Sequence, residues 1–128
     1  MATALYRDVE ALTIAALNAG MAGFGETTTA HTRIPANRPG EFFHCFRTGG
    51  PAETPVTEAA LITLEAWAAT EGRAVHLLNR GRAILRAQAG VLFGVTEYGG
   101  PTNLPDPTTS QVRYTASFVV RARAALTA

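Results

Sequence analysis

Hydrophobic positions along this chain recur at two different periods, and the switches between them mark out a succession of helices and strands. Over residues 3–19, Leu5, Val9, Leu12, Ala16 and Leu17 fall three or four residues apart while Arg7, Asp8 and Glu10 lie elsewhere, which predicts an amphipathic helix. Asn18 and Gly20 supply its stop, and residues 20–25 read as a loop. The Thr-rich stretch 28–34 predicts a short strand that ends at Pro35, and residues 35–40 a turn. Residues 41–48 then alternate, with Phe42, His44 and Phe46 on one side and Phe43, Cys45 and Arg47 on the other. Aromatic side chains on both sides predict that both faces of this strand meet protein.

After a loop at 49–55, residues 59–67 carry conflicting signals. Their Ala, Leu and Glu content favours a helix. Strict alternation favours a strand, with Ala60, Ile62, Leu64 and Ala66 facing one way and Leu61, Thr63, Glu65 and Trp67 the other. We read a strand, partly on the resemblance given below. Residues 70–89 predict a second helix: Thr70 caps it, Glu71 suits its positive end, Ala74, Leu77, Leu78, Ile84 and Leu85 form its apolar stripe, and Gly90 closes it. A strand at 91–98 leads into a long loop at 99–109 containing Pro101, Pro105 and Pro107, a loop length that in small domains is often functional. In the last strand, 111–121, Val112, Tyr114, Ala116, Phe118 and Val120 share one face, and Arg113, Thr115, Ser117 and Arg121 the other. The expected order is therefore α-β-β-β-α-β-β. It describes a single α+β domain over residues 1–128, with a five-stranded, mainly antiparallel sheet carrying two helices on one face.

Composition agrees with one well-packed domain: 128 residues, 47% hydrophobic and 16% charged. A formal net charge of +1 gives no electrostatic case for nucleic acid or an anionic membrane as principal ligand. All the basic residues are Arg, a side chain suited to bidentate contacts at interfaces. A single cysteine, Cys45, excludes an internal disulfide and fits a reducing compartment. No secretory leader or membrane-length apolar run is visible, so a soluble protein made in a cytoplasm is expected.

Candidate chemistry is sparse. His44 and Cys45 are adjacent, but neighbours on a strand point to opposite faces and make no catalytic dyad. His31, His44 and His76 match no metal-ligand spacing, so no metal is expected. The Gly pairs at 49–50 and 99–100 fit no phosphate loop, and no carboxylates are predicted to face each other across a cleft. No cofactor and no enzymatic activity are expected. The arginines are more informative. Arg113, Arg121 and Arg123 share the face of the last strand opposite Phe118, which reads either as a wet outer face or as a subunit interface or channel lining. Leu61 and Trp67 on the corresponding face of the middle strand favour contact with protein.

Taken in order, Thr32-Arg-Ile-Pro35, Arg38-Pro39, Arg47-Thr-Gly-Gly50, Glu65-Ala-Trp-Ala68, the helix with Ala74, then Gly100-Pro101, Pro105-Asp-Pro107 and Arg113-Tyr114 resemble the tail-terminator proteins of long-tailed siphophages, over roughly residues 5–123. The resemblance implies a virion protein that assembles as a homohexameric ring at the head-proximal end of the tail. Such a ring caps the tail tube, ends its polymerisation and joins the tail to the head-side connector or stopper protein. Its partners would be itself, tail tube protein and the connector, with DNA only in transit through the lumen and no membrane. The candidate interface residues are Arg38, Arg47, Leu61, Trp67, Pro101, Leu104, Pro105, Arg113, Arg121 and Arg123, and the loops 35–40 and 99–109 are expected to contact other subunits or proteins. Competing expectations are another head-completion or head-tail connector protein, and a small ligand-binding α+β domain or enzyme using His44, His76 and nearby carboxylates.

Overall fold

A computed structural model describes residues 3–127. The chain opens with strand β1 (Thr3–Leu5) and only then enters helix α1 (Val9–Gly23). The helix expected from residue 3 is thus displaced, because the Asp8 carboxylate accepts from the Ala11 amide at 3.1 Å and fixes the start at Val9. It also runs past its expected stop. Asn18 lies inside the helix and accepts the Ala30 amide at 2.8 Å, while Gly20 packs against Ile84 so closely that a Cβ there would lie 2.5 Å from Ile84 Cγ1.

The strand expected over 28–34 shrinks to β2 (Ala30–His31), whose parallel pairing sets Ala30 beside Phe43 and His31 beside His44 on β3 (Phe42–Gly49). A short edge strand, β4 (Ala52–Thr54), replaces part of the loop expected at 49–55. The ambiguous segment is a strand, β5 (Thr57–Ala68). Both of its edges are occupied, by β3 and β4 on one side and by β7 (Val112–Arg123) on the other, and tertiary pairing of this kind overrides helix propensity. Helix α2 (Glu71–Arg86) begins on the Thr70 cap, as the sequence indicates, and stops at Ala87 ahead of Gly90.

Strand β6 (Leu92–Asn103) is longer than expected and absorbs the first half of the supposed 99–109 loop, leaving residues 104–111 as the turn into β7. Irregular register at Gly99 and before Thr102 lets the Gly99-Gly-Pro101 run remain in an edge strand. The chain ends in β8 (Ala125–Thr127), paired with β1. The main sheet therefore has six strands, not five, in the order β2-β3-β5-β7-β6 with β4 against β5, and β1-β8 form a separate two-stranded ribbon.

Both helices pack on one face of the sheet. Phe43 and Cys45 from β3, Ile62, Leu64 and Ala66 from β5, and Ala116, Phe118 and Val120 from β7 meet Val9, Leu17 and Met21 of α1 and Leu77, Leu78 and Leu85 of α2 in one buried core. Arg73 ties the helix layer to the preceding loops, reaching Glu26 at 2.7 Å and Glu41 at 2.6 Å. These bonds hold both carboxyls below their ordinary range. Neither helix is long and apolar enough to cross a membrane.

The Gly20–Ile84 contact sets how closely the two helices approach. Replacing Gly20 with Ala is expected to destabilise the domain by about 1–2 kcal/mol despite the gain in helix propensity, because the core must shift to admit the methyl group. Gly72→Ala, where a Cβ meets nothing, is expected to be neutral or stabilising by up to about 1 kcal/mol. Paired urea titrations would check this, and equal effects at the two sites would contradict it.

Candidate interface on the outer sheet face

The pleat that sends Ile62, Leu64 and Ala66 into the core sends Leu61, Thr63, Glu65 and Trp67 to the opposite, outer face. Cross-strand register places Phe42 and Arg113 on either side of Trp67. Phe42 and Trp67 stack with ring centroids 5.2 Å apart and planes 14° from parallel. The Arg38 and Arg113 guanidiniums lie 5.2 and 5.1 Å from the Trp67 ring, within cation–π range.

Beside this stack lies the buried carboxylate of Glu65. His44 Nδ1 is 2.7 Å from Glu65 Oε1, Trp67 Nε1 donates to the same oxygen at 3.4 Å, and Arg113 Nη1 sits 3.8 Å from Oε2. The other His44 nitrogen, Nε2, faces the Thr32 carbonyl at 3.2 Å. Four side chains thus compensate one another, which is what a carboxylate removed from water requires.

Two loops close over the stack. Arg38 Nη1 donates to Asp106 Oδ2 at 2.8 Å, Gln111 donates to the Pro39 carbonyl at 2.9 Å, and Arg113 Nε donates to the Leu104 carbonyl at 2.8 Å. Asp106 also accepts from the hydroxyls of Thr108 and Thr109. These donors, Thr109 and Arg38 chief among them, hold its carboxyl at about 2, below its ordinary 3.8. As a result Trp67 is only 1% exposed. Within the subunit, the loops 32–41 and 104–111 of the same chain are the cover of Trp67, which the sequence reading assigns to an interface.

The expected interface residues divide into three sets. Arg38, Trp67 and Arg113 belong to the loop-covered stack. Leu61 and Arg121 lie on the uncovered half of the outer face, where Arg121 reaches Glu53 at 3.1 Å and the Gly94 carbonyl at 2.8 Å, and Arg123 at its edge sits 4.2 Å over the Phe93 ring. Pro101, Leu104 and Pro105 are exposed along the β6–β7 connection. Arg47 belongs to none of these. It lies on the helix face, where it bonds Glu58 at 2.7 Å and the Gly49 and Gly50 carbonyls, stapling the bend after β3.

Phe42, Glu65, Asp106 and the β1–β8 ribbon escaped the sequence reading as site residues. The alternation of β3 and β5 carried the signal for Phe42 and Glu65; the Arg38–Asp106 contact spans 68 residues and had none. Cys45 is buried in the core, away from His44, and burial, reinforced by Glu10, pushes its thiol up to about 12, leaving no thiolate nucleophile at neutral pH. His31 and His44 are register neighbours, whereas His76 rides on α2 in the helix layer, and among the described residues no three metal-ligating side chains converge. No family model matches the chain, and no curated protein matches it.

The single Trp offers a direct readout of the loop cover. Arg38→Ala is expected to raise acrylamide quenching of Trp67 fluorescence while leaving the far-ultraviolet spectrum intact; unchanged quenching would show that the salt bridge does not hold the loops. Because the Asp106 carboxyl is depressed in the folded state, its contribution is fully present above about pH 4 and is lost as pH falls through about 2. Relative to the native chain, Asp106→Asn is expected to flatten stability loss in that window, measured by urea unfolding at stepped pH.

Proposed function

We propose that this chain is a virion structural subunit that forms a ring at the head-proximal end of a long-tailed phage tail, capping the tube and joining it to the head-side connector. The motif order resembling siphophage tail terminators supports the family, a hexamer and the named partners. In the geometry, the observation carrying the proposal is the uncovered half of the outer sheet face. Phe46, Thr63 and Ser117, then Leu61 and Val119, form an uncharged band across β3, β5 and β7, while both helices occupy the opposite face. These five side chains are half-buried, with His44 against Phe46 and β6 beside Ser117 and Val119, and a sheet face of this composition gains from burial against protein. In this reading the working surface is that band with the exposed Pro101–Pro105 edge, no step is catalytic, and DNA only passes through.

The assembly reading has a direct test. Val119→Asp places a charge in the band without touching the core, so the variant is expected to fold but to lose the ring, measured by native mass spectrometry beside circular dichroism. A ring unchanged by Val119→Asp and by Leu61→Asp would remove the band from the interface. In a phage carrying the gene, its deletion is expected to give tails of uncontrolled length that do not join heads; normal-length tails joined to heads would overturn the reading. Location in a virion reconstruction separates a terminator, seated on tube protein, from a connector seated against the portal side.

A further inference from the structure

A second surface lies at the other end of the sheet, where Thr57 pairs with Arg123, far along β5 from the Trp67–Arg113 pair. There the β1–β8 ribbon stands apart from the main sheet. Among the described residues each of its strands has three residues and pairs only with the other, which leaves one edge of each open. Two-stranded ribbons of this size are marginal in water, and open edges accept further strands.

Apolar side chains gather beside it. Leu126 is 69% exposed, Val56 47% and Tyr6 46%. Val56 and Leu126 line a recess of about 240 Å³ together with Thr57, Arg123 and Ala124. The Tyr6 hydroxyl donates to the Thr54 carbonyl at 2.8 Å, and the Ala124 amide donates to the Val56 carbonyl, which ties the two segments lining the recess together.

Its rim is cationic. Arg7 Nε donates to the Arg123 carbonyl at 3.0 Å, and Arg123 Nε to the Gly90 carbonyl at 3.3 Å. Among the described residues neither guanidinium has a carboxylate partner, in contrast to Arg38, Arg47, Arg73, Arg82, Arg113 and Arg121. The nearby acids are engaged elsewhere: Asp8 caps α1, Glu53 binds Arg121 and Glu58 binds Arg47.

We propose that this recess receives an extended segment of another protein, alternating apolar side chains with carboxylates, which adds as a strand to the β1–β8 ribbon. Backbone pairing on the open edge supplies register, the Val56–Leu126 recess takes an apolar side chain, and Arg7 and Arg123 take the carboxylates in the two-pronged geometry that guanidinium favours. The charge on the rim is what selects this occupant over a neutral strand or a basic one. The proposal does not depend on ring assembly.

The test is a titration of the full-length, ¹⁵N-labelled chain with a blocked heptapeptide alternating valine and glutamate, beside the same peptide carrying lysine. Amide shifts are expected at residues 4–6, 54–57 and 123–127, with the lysine peptide weaker by about tenfold or more. Arg123→Gln, an exposed position whose folding the same spectrum reports, is expected to weaken the glutamate peptide by about fivefold. Equal binding of both peptides, shifts on another surface, or no shifts at millimolar peptide would overturn the proposal. So would the same amides shifting as the chain's own concentration rises, since a second copy would then be the occupant.

Discussion

The pleat of β5 is the constraint on which the rest of the molecule depends. This strand is hydrogen-bonded along β7 for its whole length and along β3 from Leu61 to Trp67. A slip of one residue would exchange its faces, taking Ile62, Leu64 and Ala66 out of the core and driving Glu65 and Trp67 into it. With two partners locking the register, that exchange is prohibited, and the helix layer and the outer face become independent surfaces. One is an aliphatic core closed by α1 and α2. The other is assembled from whatever the odd-numbered positions of β5 and β7 carry.

That separation also explains which parts of the fold were legible in the sequence. Alternation is a local signal, so β3 and β7, their faces and the Thr70 cap of α2 are read directly, whereas β5, whose Ala, Leu and Glu content favours a helix, is read as a strand only with the help of the family resemblance. What escaped was set by partners distant in the chain. The N-terminal helix starts late because Asp8 caps it and runs long because Gly20 fits under Ile84. The second half of β6 is a strand because β7 lies beside it, although Gly99, Gly100 and Pro101 argue locally for a loop. For the site, the identity of the outer-face residues was legible, but their cover was not. Trp67 reads as an exposed aromatic until the Pro-rich segments around Arg38 and Asp106 are seen to meet above it.

The exclusive use of arginine acquires a structural meaning in this light. Arg38 lies over Trp67 while bonding Asp106, Arg113 joins the Leu104 carbonyl to the Trp67–Glu65 group, Arg73 spans Glu26 and Glu41, and Arg121 bridges Glu53 and the Gly94 backbone. A planar fork with several donors can serve two acceptors and an aromatic face at once, which an ammonium group cannot do as well. Several arginines here thus fasten separate parts of the chain to one another. For the Phe42–Trp67 stack the consequence is that its apolar area is already sheltered, so association at that end would exchange one cover for another and gain little new burial.

The β1–β8 ribbon joins segments 124 residues apart, from Thr3 to Thr127. Closing a loop that long is entropically costly, and three residue pairs return little for it. The ribbon therefore belongs to the last contacts to form as the chain folds and the first to open in the native state, on a timescale set by local fluctuation and not by global unfolding. Any strand that pairs with it would act as a kinetic lock, slowing the fraying of β1 and β8 together while leaving the core's own rate of unfolding almost untouched.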